Sequence, residues 1–573
     1  MRNAATTILC LLGTLAYAQE PFYLETFDNG LADWTQHTQL GIVDWVWTDD
    51  GPGATGSTYP VPPLNTSAGW AMIDDDHEGQ IGLPAEAYLV SPVIDLSGAA
   101  ANLKLEFDQY FQEWQNDFTY VGITTNGGIS WNEIMINEGV GRDLRPNPER
   151  KSINITDMVA NDRANVQIRF RYKSIWDYGW QLDNIGIFEL PPYELELIDG
   201  MISHAQNGTR FARVPSDQFG TQIEVAAQLF NGGSMPLTGV IVTLDVLDEN
   251  DALVYSHDLQ LDEIASWDTV MVSATITVPE AGEGVHRATF TAGCAECDQE
   301  EDPSNNAHQY NYEIEGEMYC LDGIGIHPAG NEQTLSIGTA SFLDNADDLL
   351  LMNYFFIREP LTVQGIQFDL GPGSEPGSFV VVSILDSSEV IADLVDQPLT
   401  ESEMHDITQA DVDAGRVSVA FNGPITLQPG GYYAGVTLNS ISNTADLSIV
   451  DDVTVPQPVR AAVINTASDG LTYANGNAFA IRLLLDGSAI SVDETAALEH
   501  ISVAPNPTKG QITIGMNDGV KFDYEITDIA GRSIASGKGA GSTTLDVSAM
   551  PAGILMLKIA AGGAQRTLRI VHQ

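Results

Sequence analysis

The sequence predicts an all-β chain built of tandem β-sandwiches, and three observations carry that expectation. Strand-length windows such as Ala87-Tyr88-Leu89-Val90 and residues 166–172, 222–229 and 240–246 alternate or run apolar, whereas sustained helical periodicity is hard to find. Gly (53) and Pro (27) punctuate these windows at short intervals, the spacing of turns between short strands. With 573 residues, 43% of them apolar, the chain is long enough for about four domains that each bury a core.

Residues 1–18 stand apart from this pattern. Arg2, an apolar stretch from Ile8 to Leu15 and then Ala16-Tyr17-Ala18 follow the basic, apolar, small-x-small order of a cleaved signal peptide. No later segment has the 18 or so uninterrupted apolar residues of a membrane-spanning helix, so a secreted product without a transmembrane segment is expected. Cys294, Cys297 and Cys320 remain after the signal, and an odd number in an exported protein predicts one disulfide and one spare thiol. Which two pair is left open. The Cys294-x-x-Cys297 spacing has neither a second such pair nor a His pair beside it, which argues against zinc.

Four blocks follow: residues 19–190, holding eight of the nine Trp; 193–316; 317–488; and, after a polar linker at 489–500, residues 501–573. The chain carries 24 Lys and Arg against 79 Asp and Glu, a formal charge of -55. Such a field argues against nucleic acid and anionic membrane as partners, and suits divalent cations or neutral ligands such as glycans. The last block breaks the pattern, with seven basic and five acidic residues against 16 and 74 in residues 19–500. A different encounter is expected of it.

That block opens with Ala504-Pro505-Asn506-Pro507-Thr508-Lys509-Gly510. Gln511 to Ile514, Tyr524 to Arg532, Leu545 to Ser548, Pro551-Ala552-Gly553, Leu557 to Ile559 and Arg566 to Val571 follow. The two prolines hold the entry extended, and the rest reads as a small antiparallel sandwich. In order and spacing these pieces resemble the type A C-terminal sorting domain of type IX secretion substrates, departing from it at Ile554-Leu555-Met556, where the family commonly has an aromatic. The resemblance implies recognition of residues 501–573 by an outer-membrane translocon and its sortase, and a product attached to the cell surface.

In the first block, Glu25 to Gly30, Trp34, Tyr88 to Ser97, Val121 to Trp131, Ile168 to Tyr172 and Gly179 to Ile185 together resemble the MAM-like jelly roll of secreted adhesins, including the cleaved-adhesin type. Asp183 shares parity with Ile185 and Ile187, which places a carboxylate on an apolar face, and Glu25 lies among apolar residues near the start. A buried carboxylate requires a cation or donors beside it. In the resembling jelly rolls the first and last strands are neighbours and their acids bind calcium, so Glu25, Asp183 and Asp74 of the Asp74-Asp75-Asp76 run are the expected ligands of a structural Ca2+. Trp114 and Trp176, set among polar residues, are the expected ligand-binding rings, and most of the Trp excess is expected in the core. Thr124 to Trp131 reads as a hairpin tip over which Trp131 folds.

Residues 222–233, 240–244 and Glu301-Asp302-Pro303-Ser304-Asn305-Asn306 give the second block a likeness to the immunoglobulin-like bacterial cell-adhesion-related domain. The third block reads as a sandwich of no assigned type. No GxSxG, HExxH or phosphate-binding loop appears, and no Cys has a convincing His partner. The expectation is therefore a surface-anchored adhesin that binds a glycan or a host or matrix protein and is not an enzyme. A structural surface spacer is the alternative, with a hydrolase on an unrecognised sandwich behind it.

Overall fold

The protein is described from a computed structural model. It covers residues 20–485 and 502–572 apart from 32, 54–60, 67, 80–81, 114–116, 141–145, 281, 343–346, 443, 506–507, 516–520, 529–531, 552 and 562–563. The signal peptide and the linker at 489–500 lie outside the described residues. Nearly all regular structure is antiparallel strand, so the all-β, multi-sandwich expectation holds. Two compact units divide the chain, Met1–Leu485 and Asp486–Gln573.

The N-terminal sandwich is made of β1 (Tyr23–Glu25), β2 (Thr35–Leu40), β3 (Val46–Thr48), β4 (Trp70–Asp74), β5 (Pro84–Val90), β6 (Leu103–Gln112), β7 (Phe118–Thr124), β8 (Asn132–Ile136), β9 (Glu149–Asn154), β10 (Gln167–Ile175) and β11 (Gly179–Glu189). One sheet runs β3-β4-β11-β6-β9, with β1 also on β11; the other runs β2-β5-β10-β7-β8. Strict alternation builds the layer between them. In β10, Ile168, Phe170 and Tyr172 are buried, while Arg169, Arg171 and Lys173 point the other way. Phe170 meets Phe107 edge-on at 5.1 Å and Trp180 at 5.6 Å, and Trp180 meets Trp45 at 5.6 Å. Each such ring contributes roughly 1.5–3 kcal/mol by burial. Trp34, Trp45, Trp70 and Trp180 are all buried, as expected of most of the Trp excess.

One irregularity redirects the expected site. Asp183 pairs with Asp108, but the next paired residues are Gly186 and Glu106, so a bulge lies between them, with Asn184 at φ +51. The extra residue flips the parity of everything after it. Leu182 and Ile185 both face the core, and Asp183 is turned to the opposite face, beside Asp108. The shared parity of Asp183 with Ile185 and Ile187 thus does not survive in the fold.

The second and third blocks share a sheet and a core. A nine-stranded sheet begins with Leu253–Ile264, Leu237–Leu247, Gly284–Gly293 and Ala307–Ile314. It continues through Arg213–Val214 and Met318–Cys320 into Ile481–Leu484, Leu361–Asp369 and Arg416–Leu427. One hydrophobic core extends from Leu195 to Leu483 across the expected boundary at 316. Arg482, 1% exposed, sits at this joint and donates to both oxygens of Asp322 and of Asp369. Cys294 and Cys297 form the disulfide, and Cys320 is the buried free thiol.

In the C-terminal unit a three-stranded and a four-stranded sheet enclose Ile512, Ile514, Phe522, Ile526, Val547, Leu555, Leu557, Ile559 and Ile570. Leu555, where the resembling family carries an aromatic nearby, is buried in that core.

Candidate functional site

The structure does not bring the three expected calcium ligands together. Glu25 lies opposite Ile185 on the core-facing side, and its two oxygens accept from the Phe27 amide at 2.9 Å and the Trp34 indole at 3.0 Å. Asp74 caps the short helix Asp75–Glu78, accepting from the amides of His77 at 3.0 Å and Gly53 at 2.8 Å. Both carboxylates are satisfied by N–H donors. Asp183 is buried on the other face with Oδ1 unpartnered, and burial, reinforced by Asp108 and Asp28, pushes its carboxyl up to about 7. Among the described residues no three His, Cys, Asp or Glu side chains form a group arranged to hold a metal ion.

Of the two expected ligand-binding rings, Trp114 lies outside the described residues. Trp176 is half-buried at φ +56 beside a buried acidic cluster. In that cluster Asp75 accepts from Ser174 Oγ at 2.6 Å and from the Asp177 amide at 3.1 Å, and Asp117 accepts from Tyr172 Oη at 2.9 Å. Asp117 Oδ1 has no donor; burial, then Asp177, pushes this carboxyl up to about 10. The cluster is read as structural, because a buried carboxyl so shifted carries a proton near neutral pH.

A half-buried, ring-rich face lies elsewhere, on the outer side of the β2-β5-β10-β7-β8 sheet. Arg169, Arg171 and Lys173 occupy alternate positions of its central strand β10. The Arg169 guanidinium lies 4.2 Å from the Trp131 ring and 4.8 Å from the Tyr88 ring, and that of Arg171 stacks 3.7 Å from Tyr120. Glu133 ties the two arginines together, accepting from Arg169 at 2.6 Å and from Arg171 at 3.1 Å. Glu86 accepts from Arg171 at 3.3 Å and from Tyr88 Oη at 2.6 Å. His37 stacks on the far side of this row, 6.0 Å from Tyr88.

Local sequence explains the arrangement. Directly opposed residues share a face, so Arg171 meets Tyr88 on β5 and Tyr120 on β7. Trp131 arrives from the tip between β7 and β8, where Asn126 Oδ1 accepts from the Ser130 amide at 3.1 Å and Thr124 Oγ1 from the Gly128 amide at 3.2 Å. Gly122 leaves it room: a Cβ there would stand 3.0 Å from Glu133 and 3.3 Å from Trp131. Sequence reasoning read Trp131 as a hairpin lid and did not see this face. The signal was present in Arg169-x-Arg171-x-Lys173, an alternating basic row in a chain with so few cations.

Cavities among the described residues of the middle blocks include one of about 340 Å³ lined by Asp369, Ala414, Gly415 and Arg416. Another, of about 610 Å³, is lined by Thr334, Ser336, Gly371, Gly373 and neighbours without an ionisable side chain. A third, of about 290 Å³, includes His308 and His327, the latter bonded to Asp452 at 2.7 Å.

Solved structures similar to parts of the chain include the K3 cleaved adhesin domain of Lys-gingipain from Porphyromonas gingivalis w83. It is 18% identical, with 30% of this chain and 99% of that one covered, and a TM-score of 0.19. TmCBM61 in complex with beta-1,4-galactotriose is 12% identical over 29% of this chain and 94% of its own, at 0.19. The CARDB domain of the PF1109 protein from Pyrococcus furiosus, in complex with di-metal ions, is 14% identical over 21% and 93%, at 0.16. No curated protein matches the chain. Among the described residues no helix is long and apolar enough to cross a membrane. The C-terminal unit, with its two sheets and its break in charge, has a family match: residues 502–573 fit the model described as a secretion system C-terminal sorting domain.

Proposed function

We propose that this chain is a type IX secretion substrate, presented at the cell surface as a binding protein, and that the outer face of the β2-β5-β10-β7-β8 sheet takes a glycan. The observation that carries the reading is the pinned array itself. Trp131, Tyr88 and Tyr120 are held half-buried on the outer sheet face by two stacked guanidiniums, which are fixed in turn by Glu133 and Glu86. Sugar rings offer flat C–H surfaces with polar edges, and suit rigid aromatic faces rimmed by donors and acceptors. The sorting-domain match supports an exterior address.

The test is binding of the full chain to glycan and matrix-protein arrays, beside Trp131→Ala. A glycan signal that falls about tenfold or more in the variant supports the reading. Binding confined to matrix protein, or a glycan signal unchanged by Trp131→Ala, overturns it. Deleting residues 502–573 should strand folded protein in the periplasm, and its appearance at the cell surface would refute the sorting role.

Calcium belongs to this proposal only at Asp183, whose buried open oxygen is the one donor left of the expected three. An upward shift in melting temperature with calcium, lost in Asp183→Asn, supports it, and no shift removes it. The spacer reading gains from the continuous sheet through residues 213–484, which suits a rigid element.

A further inference from the structure

We infer that the glycan taken by this face bears an oxyanion, as a carboxylate or a sulfate on the sugar. The inference rests on the glycan reading above and asks which class of sugar the face selects. Arg169, Arg171 and Lys173 stand against Glu86 and Glu133, a local surplus of one positive charge. The remainder of the chain holds 21 basic and 77 acidic residues, so an anion is repelled by most of the rest of the surface. A contact-range surplus persists inside that field because exposed charges are screened beyond about 8 Å at physiological salt.

Lys173 is the distinguishing group. The other two lysines of this sandwich with a described partner are engaged, Lys104 with Glu106 at 2.8 Å and Lys151 with Glu149 at 2.9 Å. Lys173 is exposed and has no ion pair among the described residues, although it lies directly opposite Glu86. Glu86 is already turned to Tyr88 Oη and Arg171. The row therefore ends in an uncommitted ammonium next to guanidiniums whose planes are fixed by rings. Arg169 and Arg171 already donate to Glu133 and Glu86 and bury their Nε atoms, so Lys173 supplies the free donor for an oxyanion while the fixed guanidiniums add positive potential beside it. A neutral sugar would gain from the rings but make no use of the third cation.

The experiment titrates the full chain with oligogalacturonate, a sulfated hexose oligomer and a neutral hexose oligomer of equal length, at low and physiological salt. One or both anionic oligomers are expected to bind about tenfold tighter than the neutral one, with a preference that shrinks as salt rises. The carboxylated and sulfated arms distinguish the two sources of charge. Lys173→Gln should reduce the preference about three- to fivefold. If the neutral oligomer binds as tightly as both anionic ones, or Lys173→Gln leaves the preference intact, this inference falls while the glycan reading stands. If none of the oligomers binds and the glycan arrays are also silent, the reading itself has failed, and the inference with it.

Discussion

Asp117 shows how a single buried side chain makes the N-terminal sandwich sensitive to pH. Its carboxyl, pushed up to about 10 by burial and by Asp177, keeps its proton in the folded chain and loses it near pH 4 in the unfolded one. Between those values the folded state binds more protons, so this group's contribution to stability declines as pH rises. Asp117→Asn keeps an acceptor for Tyr172 Oη and removes the titration. The variant should gain on the native chain between pH 5 and pH 8 by at least about 1 kcal/mol, or about 2–4 °C in melting temperature. Equal slopes in the two chains would refute the assignment. Arg482 gives the opposite case. Truncation leaves Asp322 and Asp369 buried without their shared cation, and Arg482→Ala should cost about 3–5 kcal/mol in denaturant unfolding. Neither effect was visible in the sequence, where Asp117 and Arg482 are separated from their partners by 55 and 160 residues.

At the scale of the element, strand β10 was legible and its use was not. The alternation of residues 166–172 predicts a half-buried strand, and its inward residues form the core. What stands beside its outward residues depends on the register of β5, β7 and β8, which a single strand's pattern does not contain. Gly122 on β7 tests this level directly. Val suits a strand, so Gly122→Val should preserve the fold while forcing Trp131 and Glu133 off the sheet. Glycan affinity should fall about tenfold with little change in melting temperature, and retained affinity would show that the position of Trp131 does not matter. The bulge at Asn184 teaches the same lesson from the other side. Period-two reasoning put Asp183 with the core, and one inserted residue reversed it.

Over the whole molecule, the middle of the chain is expected to behave as one cooperative body. The shared sheet and common core of residues 195–483 predict a single unfolding transition, with Arg482→Ala lowering it as a unit. Two separable transitions, only one of them moved by the variant, would restore the view of independent modules. The break in charge at the linker, by contrast, is carried entirely by composition, and it coincides with the division between the two compact units.

By itself the sequence determined the fold class, the multi-sandwich layout, the disulfide count and the C-terminal sorting domain, because alternation, turn residues, cysteine number and local motif order are properties of neighbours along the chain. Only the tertiary structure decided that Glu25, Asp74 and Asp183 part company, that the second and third blocks share one sheet, and that Trp131, Tyr88, Tyr120, Arg169 and Arg171 meet on one face. Those outcomes depend on strand register and on one bulge, and register is set by pairing between residues far apart in sequence.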